Sequence, residues 1–75
     1  MNSNEKHNRR LPSDPHYIEY WKGDRMLRDT GDGLDGAKRR IAARLAKRRN
    51  RGERAIVYRN RVAVFDTHPD QPKPR

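Results

Sequence analysis

Between His16 and Thr67 apolar and polar residues alternate in short runs, and the period of the alternation changes twice along the chain. In HYIEYWK and RMLRD apolar side chains recur on either side of Gly23-Asp24, a hairpin spacing with glycine in the turn. This predicts strands at 16–22 and 25–29. A two-residue loop sets Lys22 against Arg25, Trp21 against Met26, Tyr20 against Leu27 and Glu19 against Arg28. One face of the hairpin then carries Ile18, Tyr20 and Leu27. The other carries Tyr17, Trp21 and Met26 beside the opposite-charge pair Glu19 and Arg28.

Beyond Thr30 the period lengthens. Leu34, Ala37, Ile41 and Leu45 fall on one stripe at about 100° per residue, which is helical. Asp32 or Asp35 stands where a cap is needed, basic residues crowd the opposite end, and Gly52 supplies a left-handed stop after Asn50-Arg51. A helix from Leu34 to Arg51 is predicted, its apolar stripe facing the sheet. ERAIVYRNRVAVFDT then returns to β-branched and aromatic residues and breaks at Arg59-Asn60, giving strands at 54–59 and 61–66. A two-residue loop pairs Val57 with Val62; a three-residue loop pairs Tyr58 with Val62. The order strand, strand, helix, strand, strand predicts a small α+β domain, a four-stranded antiparallel sheet with one helix packed on one face.

The flanks show neither period. Residues 1–15 read as a disordered N-terminal arm and 68–75 as a Pro-rich disordered tail, leaving a folded unit at 16–67. With 31% hydrophobic residues in 75, that unit buries one thin layer and is marginally stable. Cysteine is absent, which removes disulfides and the commonest zinc ligand, so a homodimer or another partner is the remaining support. No apolar run approaches the ~20 residues that cross a bilayer, and the N-terminus lacks the apolar centre of a signal peptide. A cytoplasmic protein with no membrane partner is expected.

Charge sharpens the functional reading. Eleven of the nineteen Lys and Arg residues lie between Lys38 and Arg61 with Glu53 as the single acid there, so this stretch carries +10 and the rest of the chain −1. A field so localised attracts a polyanion, and nucleic acid is the expected partner. On the predicted helix Arg40, Arg44, Lys47 and Arg51 recur at one flank over about 16 Å, a length that meets several successive phosphates. Arg39, Arg48 and Arg49 extend the stripe, and Arg59 and Arg61 flank the tip of the second hairpin, where a basic ribbon can grip a backbone. Little sequence specificity is expected from such contacts. A solvated, solubilising face is the competing account of any charge run, but such faces mix signs, and no acid occurs from Lys38 to Arg51.

Tyr17, Trp21 and Met26 form an apolar patch on the sheet face that the helix cannot cover, a candidate protein interface, a platform for bases, or a seat for Leu11 and Pro12 of the arm. The second functional reading follows: an interaction module that binds an acidic host protein through this patch and the basic helix. No catalytic constellation, cofactor motif or metal spacing is present. His7, His16 and His68 lie in or beside the tails, and the acids Asp24, Asp29, Asp32 and Asp35 suit turns, strand ends and caps. A non-enzymatic protein is expected. In the segments TGDGLDGAKRRIAARLAKRR and GERAIVYRNRVAVFDT the chain resembles short accessory proteins of phages that infect GC-rich actinobacteria. That resemblance implies a cytoplasmic product that handles DNA or redirects a host protein. Over about seven residues the GD-x-L-x-x-A turn is also similar to the strand-to-helix junction of HicB-like antitoxins, and no functional residue carries over from it.

Overall fold

The computed structural model describes residues 15–73. The arm expected at 1–15 lies, except for Pro15, outside the described residues. Strands β1 (His16–Lys22) and β2 (Arg25–Thr30) form the first hairpin in the expected register, Lys22 opposite Arg25 through Glu19 opposite Arg28. Gly23 holds the first turn position at φ 65°, a conformation that costs glycine little. Helix α1 (Gly33–Leu45), β3 (Arg54–Arg59) and β4 (Val62–Asp66) follow, and the four antiparallel strands lie in the order β2-β1-β3-β4. The α+β architecture is as expected.

Because β3 inserts beside β1, Ile18 meets Val57, Tyr20 meets Ala55 and Tyr17 meets Tyr58. Ile18, Tyr20, Ala55 and Val57 share the face under α1 and pack with Ala37 and Ile41, with Leu34, Leu45 and Phe65 around them. Ile18, Ala37, Ala55 and Val57 are completely buried. The helix spans the two central strands, and Leu27 on edge strand β2 stays half exposed on the same side. Gly31 admits the helix start close to β1: its amide donates to the His16 carbonyl at 3.1 Å, and a Cβ there would stand 2.7 Å from His16 Cβ.

Three expectations are corrected. Helix α1 stops at Leu45, six residues short of Arg51; Lys47 turns extended, and a single 3-10 turn runs Arg48–Asn50. Leu45 is the last residue of the apolar stripe, so nothing beyond it would hold further helix to the sheet, and continuation would stack Arg44 on Arg48 and Lys47 on Arg51 as like charges. The buried Asn50 amide instead donates to the Arg44 carbonyl at 3.0 Å and satisfies the frayed end. Gly52, at φ 88°, ends this turn and not the helix. At the other end Asp32 occupies the cap position in a left-handed conformation, φ 57°, without a side-chain cap bond, and Asp35 lies inside the first turn.

The second hairpin takes neither expected register. Its loop is Asn60-Arg61, with Arg59 opposite Val62, Tyr58 opposite Ala63, and a bulge that brings Phe65 opposite Val57. Both loop residues have positive φ, 51° and 73°, the pattern of the turn whose twist matches a tight hairpin. The bulge then returns Phe65 to the helix face. Finally, His68–Lys73 does not trail free. Arg54 donates to the Pro72 carbonyl at 2.6 Å and the Gln71 carbonyl at 3.0 Å, which ties this segment to the sheet face opposite α1.

Candidate nucleic-acid interface

The arginines of the basic stretch divide by what lies opposite them. Arg44 meets Glu53 in a two-pronged contact, Nε to Oε1 at 2.6 Å and Nη2 to Oε2 at 2.9 Å, and its guanidinium lies 4.6 Å from the Tyr20 ring centre. Glu53 is buried, and its hydrogen bonds to Arg44 hold the guanidinium pKa above its ordinary value. Burial, with Asp29 nearby, raises that of the Tyr20 phenol. Arg54 binds Asp66 in the same two-pronged way, at 3.0 and 2.7 Å, and both side chains are nearly buried. The hydrogen bonds from Arg54 pull the Asp66 carboxyl below the usual range, with the His68 amide adding to the effect against burial. These two arginines thus fasten α1 to the entry of β3 and β3 to β4, and their charge is matched by a carboxylate.

The remaining cations stay outward. Arg39 and Arg40 are exposed on α1, Arg40 within 3.9 Å of Asp29 across solvent. Lys47, Arg48, Arg49 and Arg51 are exposed in the turn after α1, and among the described residues no carboxylate lies within ion-pair distance of any of them. Lys22 at the tip of the first hairpin donates to the Arg49 carbonyl at 3.3 Å, which sets Lys22 and Arg25 beside that turn. Arg59 and Arg61 lie at the other end of β3, about 20 Å away for a six-residue strand. The predicted continuous stripe is therefore not formed: Arg39 and Arg40 remain on the helix, Arg44 is paired to Glu53 and partly covered, Lys47, Arg48 and Arg51 cluster at one end of the sheet, and Arg59 and Arg61 sit at the opposite end.

The open face of the sheet holds the second feature. Tyr17 and Tyr58 stack across β1 and β3 at 5.2 Å between ring centres and 13° between planes, and Arg28 covers Tyr17 at 4.8 Å. With Trp21, Arg61, Val62, Ala63 and Lys73 they line an open concavity of about 720 Å³. Glu19 forms its floor, 4% exposed, accepting from the Trp21 indole at 3.0 Å and lying 3.6 Å from Arg28. Of the predicted patch, Tyr17 and Trp21 enter this concavity. Met26, opposite Trp21 on the edge strand, remains 38% exposed outside its lining. Arg28 lies beside Tyr17 and Trp21 with Glu19, as the hairpin register predicts, whereas Tyr58 and Lys73 were missed. The register of β1 on β3, which only tertiary pairing fixes, is the signal that would have placed Tyr58 beside Tyr17.

No group of three or more His, Asp and Glu residues converges as a metal site among the described residues, and no helix there is long and apolar enough to cross a membrane. No known protein family, characterised protein or solved structure matches the chain.

Proposed function

We propose that this protein binds nucleic acid chiefly through phosphates, with the turn Lys47–Arg51 as the principal grip and Arg39, Arg40, Lys22 and Arg25 extending it. One observation carries the proposal: a run of exposed cations without carboxylate partners among the described residues, in a fold that pairs two other arginines, Arg44 and Arg54, two-pronged to acids. Burying or pairing a charge is how a protein uses it for stability. A cluster kept unpaired raises self-repulsion and is repaid when an external polyanion releases its counterions. The contacts offered are to backbone phosphate, so affinity without strong sequence preference is the expected behaviour.

An acidic protein partner is the second reading, favoured by Met26 and Leu27, 38% and 50% exposed on the edge strand that adjoins the same turn. Salt separates the two. Binding of a labelled duplex by the wild type should fall linearly on a log-log plot as salt rises, and Lys47→Glu/Arg48→Glu/Arg51→Glu should weaken it by at least about tenfold at low salt. Unchanged affinity in the triple variant would remove the proposal. Recognition centred on the apolar edge fades less with salt and depends on Met26 and Leu27.

A further inference from the structure

We infer that the concavity beside Ala63 receives an unpaired nucleobase, so that the chain favours single strands over duplex. This rests on the nucleic-acid reading above and deepens it. The argument begins with spacing. Arg28, Tyr17 and Tyr58 come from β2, β1 and β3, one per strand, and the Tyr17–Tyr58 separation of 5.2 Å is close to the distance between neighbouring strands. The two ring planes are nearly parallel and Arg28 lies over the outer face of Tyr17, so the three groups form a column running across the sheet. The next position in the row belongs to β4, where the register partner of Tyr58 is Ala63. Its side chain ends at a methyl, and the concavity opens above it. A flat aromatic group one strand spacing further would continue the column.

Charge selects the kind of group. Glu19 at the floor is a carboxylate already held by Arg28 at 3.6 Å and the Trp21 indole at 3.0 Å, a closed polar pair over which a flat neutral base can stack. Arg61 and Lys73 stand on the rim near Ala63, where a strand's phosphates would lie once its base pointed in. Arg61 holds φ 73° in the hairpin loop, a conformation that glycine occupies with less strain. A charged side chain held there at a conformational cost fits a contact role. In a duplex the base faces are already stacked and the edges paired, so only an unpaired strand can fill the slot.

Trp21 is the single tryptophan and lines the concavity, so its emission reports occupancy directly. The experiment titrates the full chain at low salt with an oligothymidylate, an abasic strand of equal length and a duplex of equal length. The oligothymidylate is expected to change Trp21 emission and to bind about tenfold or more tighter than the abasic strand. Tyr58→Leu and Ala63→Leu, the latter filling the slot with a branched side chain, should each bring oligothymidylate binding down to the abasic level and leave duplex binding unchanged. Equal binding of the base-bearing and abasic strands would overturn the inference, as would an Ala63→Leu variant that keeps the preference. Duplex binding persisting in those cases leaves the phosphate reading intact, whereas failure of all three ligands to bind removes both.

Discussion

The two faces of this sheet are closed by different means. Under α1, aliphatic side chains do the work: Ile18, Val57 and Ala37 exclude water without a polar group among them. On the other face Ile56 is equally buried, yet its neighbours are Glu19 opposite on β1 and Asp66 opposite on β4, with Arg54 and the His68–Lys73 segment beside them. The chain has apolar residues enough for one layer only. Its second face is therefore sealed by the Arg54–Asp66 fork and the C-terminal segment at one end, and left concave around Tyr17 and Tyr58 at the other. That teaches where the charge is structural and where it is available.

Ile18→Ala tests the closed face and should have the largest effect, a loss of about 2–5 kcal/mol in urea unfolding, most of the stability of a domain this small. Ile56→Ala sharpens the contrast. A loss in the same range means that the polar side excludes water as fully as the helix does, and a loss under about 1 kcal/mol means that it does not. Next in size is Glu53→Ala, which strands the Arg44 guanidinium and should cost about 1–3 kcal/mol, while Arg39→Ala on the same helix should change stability by less than about 0.5 kcal/mol.

Asp66 gives the open face a pH signature. Its carboxyl is held below the ordinary range in the folded protein, so the stabilisation is fully present above the unfolded value of about 3.9 and disappears as pH falls through the folded one. Acid titration of the wild type should show this decline, and Asp66→Asn should lack that component while being less stable at neutral pH. A variant with the same acid profile as the wild type would disprove the assignment. The smallest effect has the opposite sign: Arg61→Gly should raise stability by up to about 1 kcal/mol by relieving the left-handed loop residue, while weakening the binding of single strands.

Much of the fold was legible because local signals agreed. Gly23-Asp24 set the first hairpin to the residue, and the Leu34–Leu45 stripe located the helix. The helix end was misjudged because charge and composition alone continue smoothly to Arg51. What stops it is the disappearance of apolar anchors after Leu45 together with Asn50 reaching back six residues to Arg44, a local cap that neither charge nor composition announces. The second hairpin slipped by one residue because nothing in RNR announces that arginine will accept positive φ. At the candidate site the sequence located the charge but not its division. Arg44 and Lys47 look alike in the chain, and only the return of Glu53 against the helix pairs one and leaves the other outward.

That division is tested most directly by the salt dependence of duplex binding in two variants. Lys47→Gln/Arg48→Gln/Arg51→Gln should leave the unfolding midpoint close to that of the wild type and make the slope of log affinity against log salt shallower by about 2–3, three phosphate contacts having been removed. Arg44→Gln should lower the unfolding midpoint and leave the slope unchanged. The account is contradicted if the triple variant keeps the wild-type slope or if Arg44→Gln is the variant that loses it.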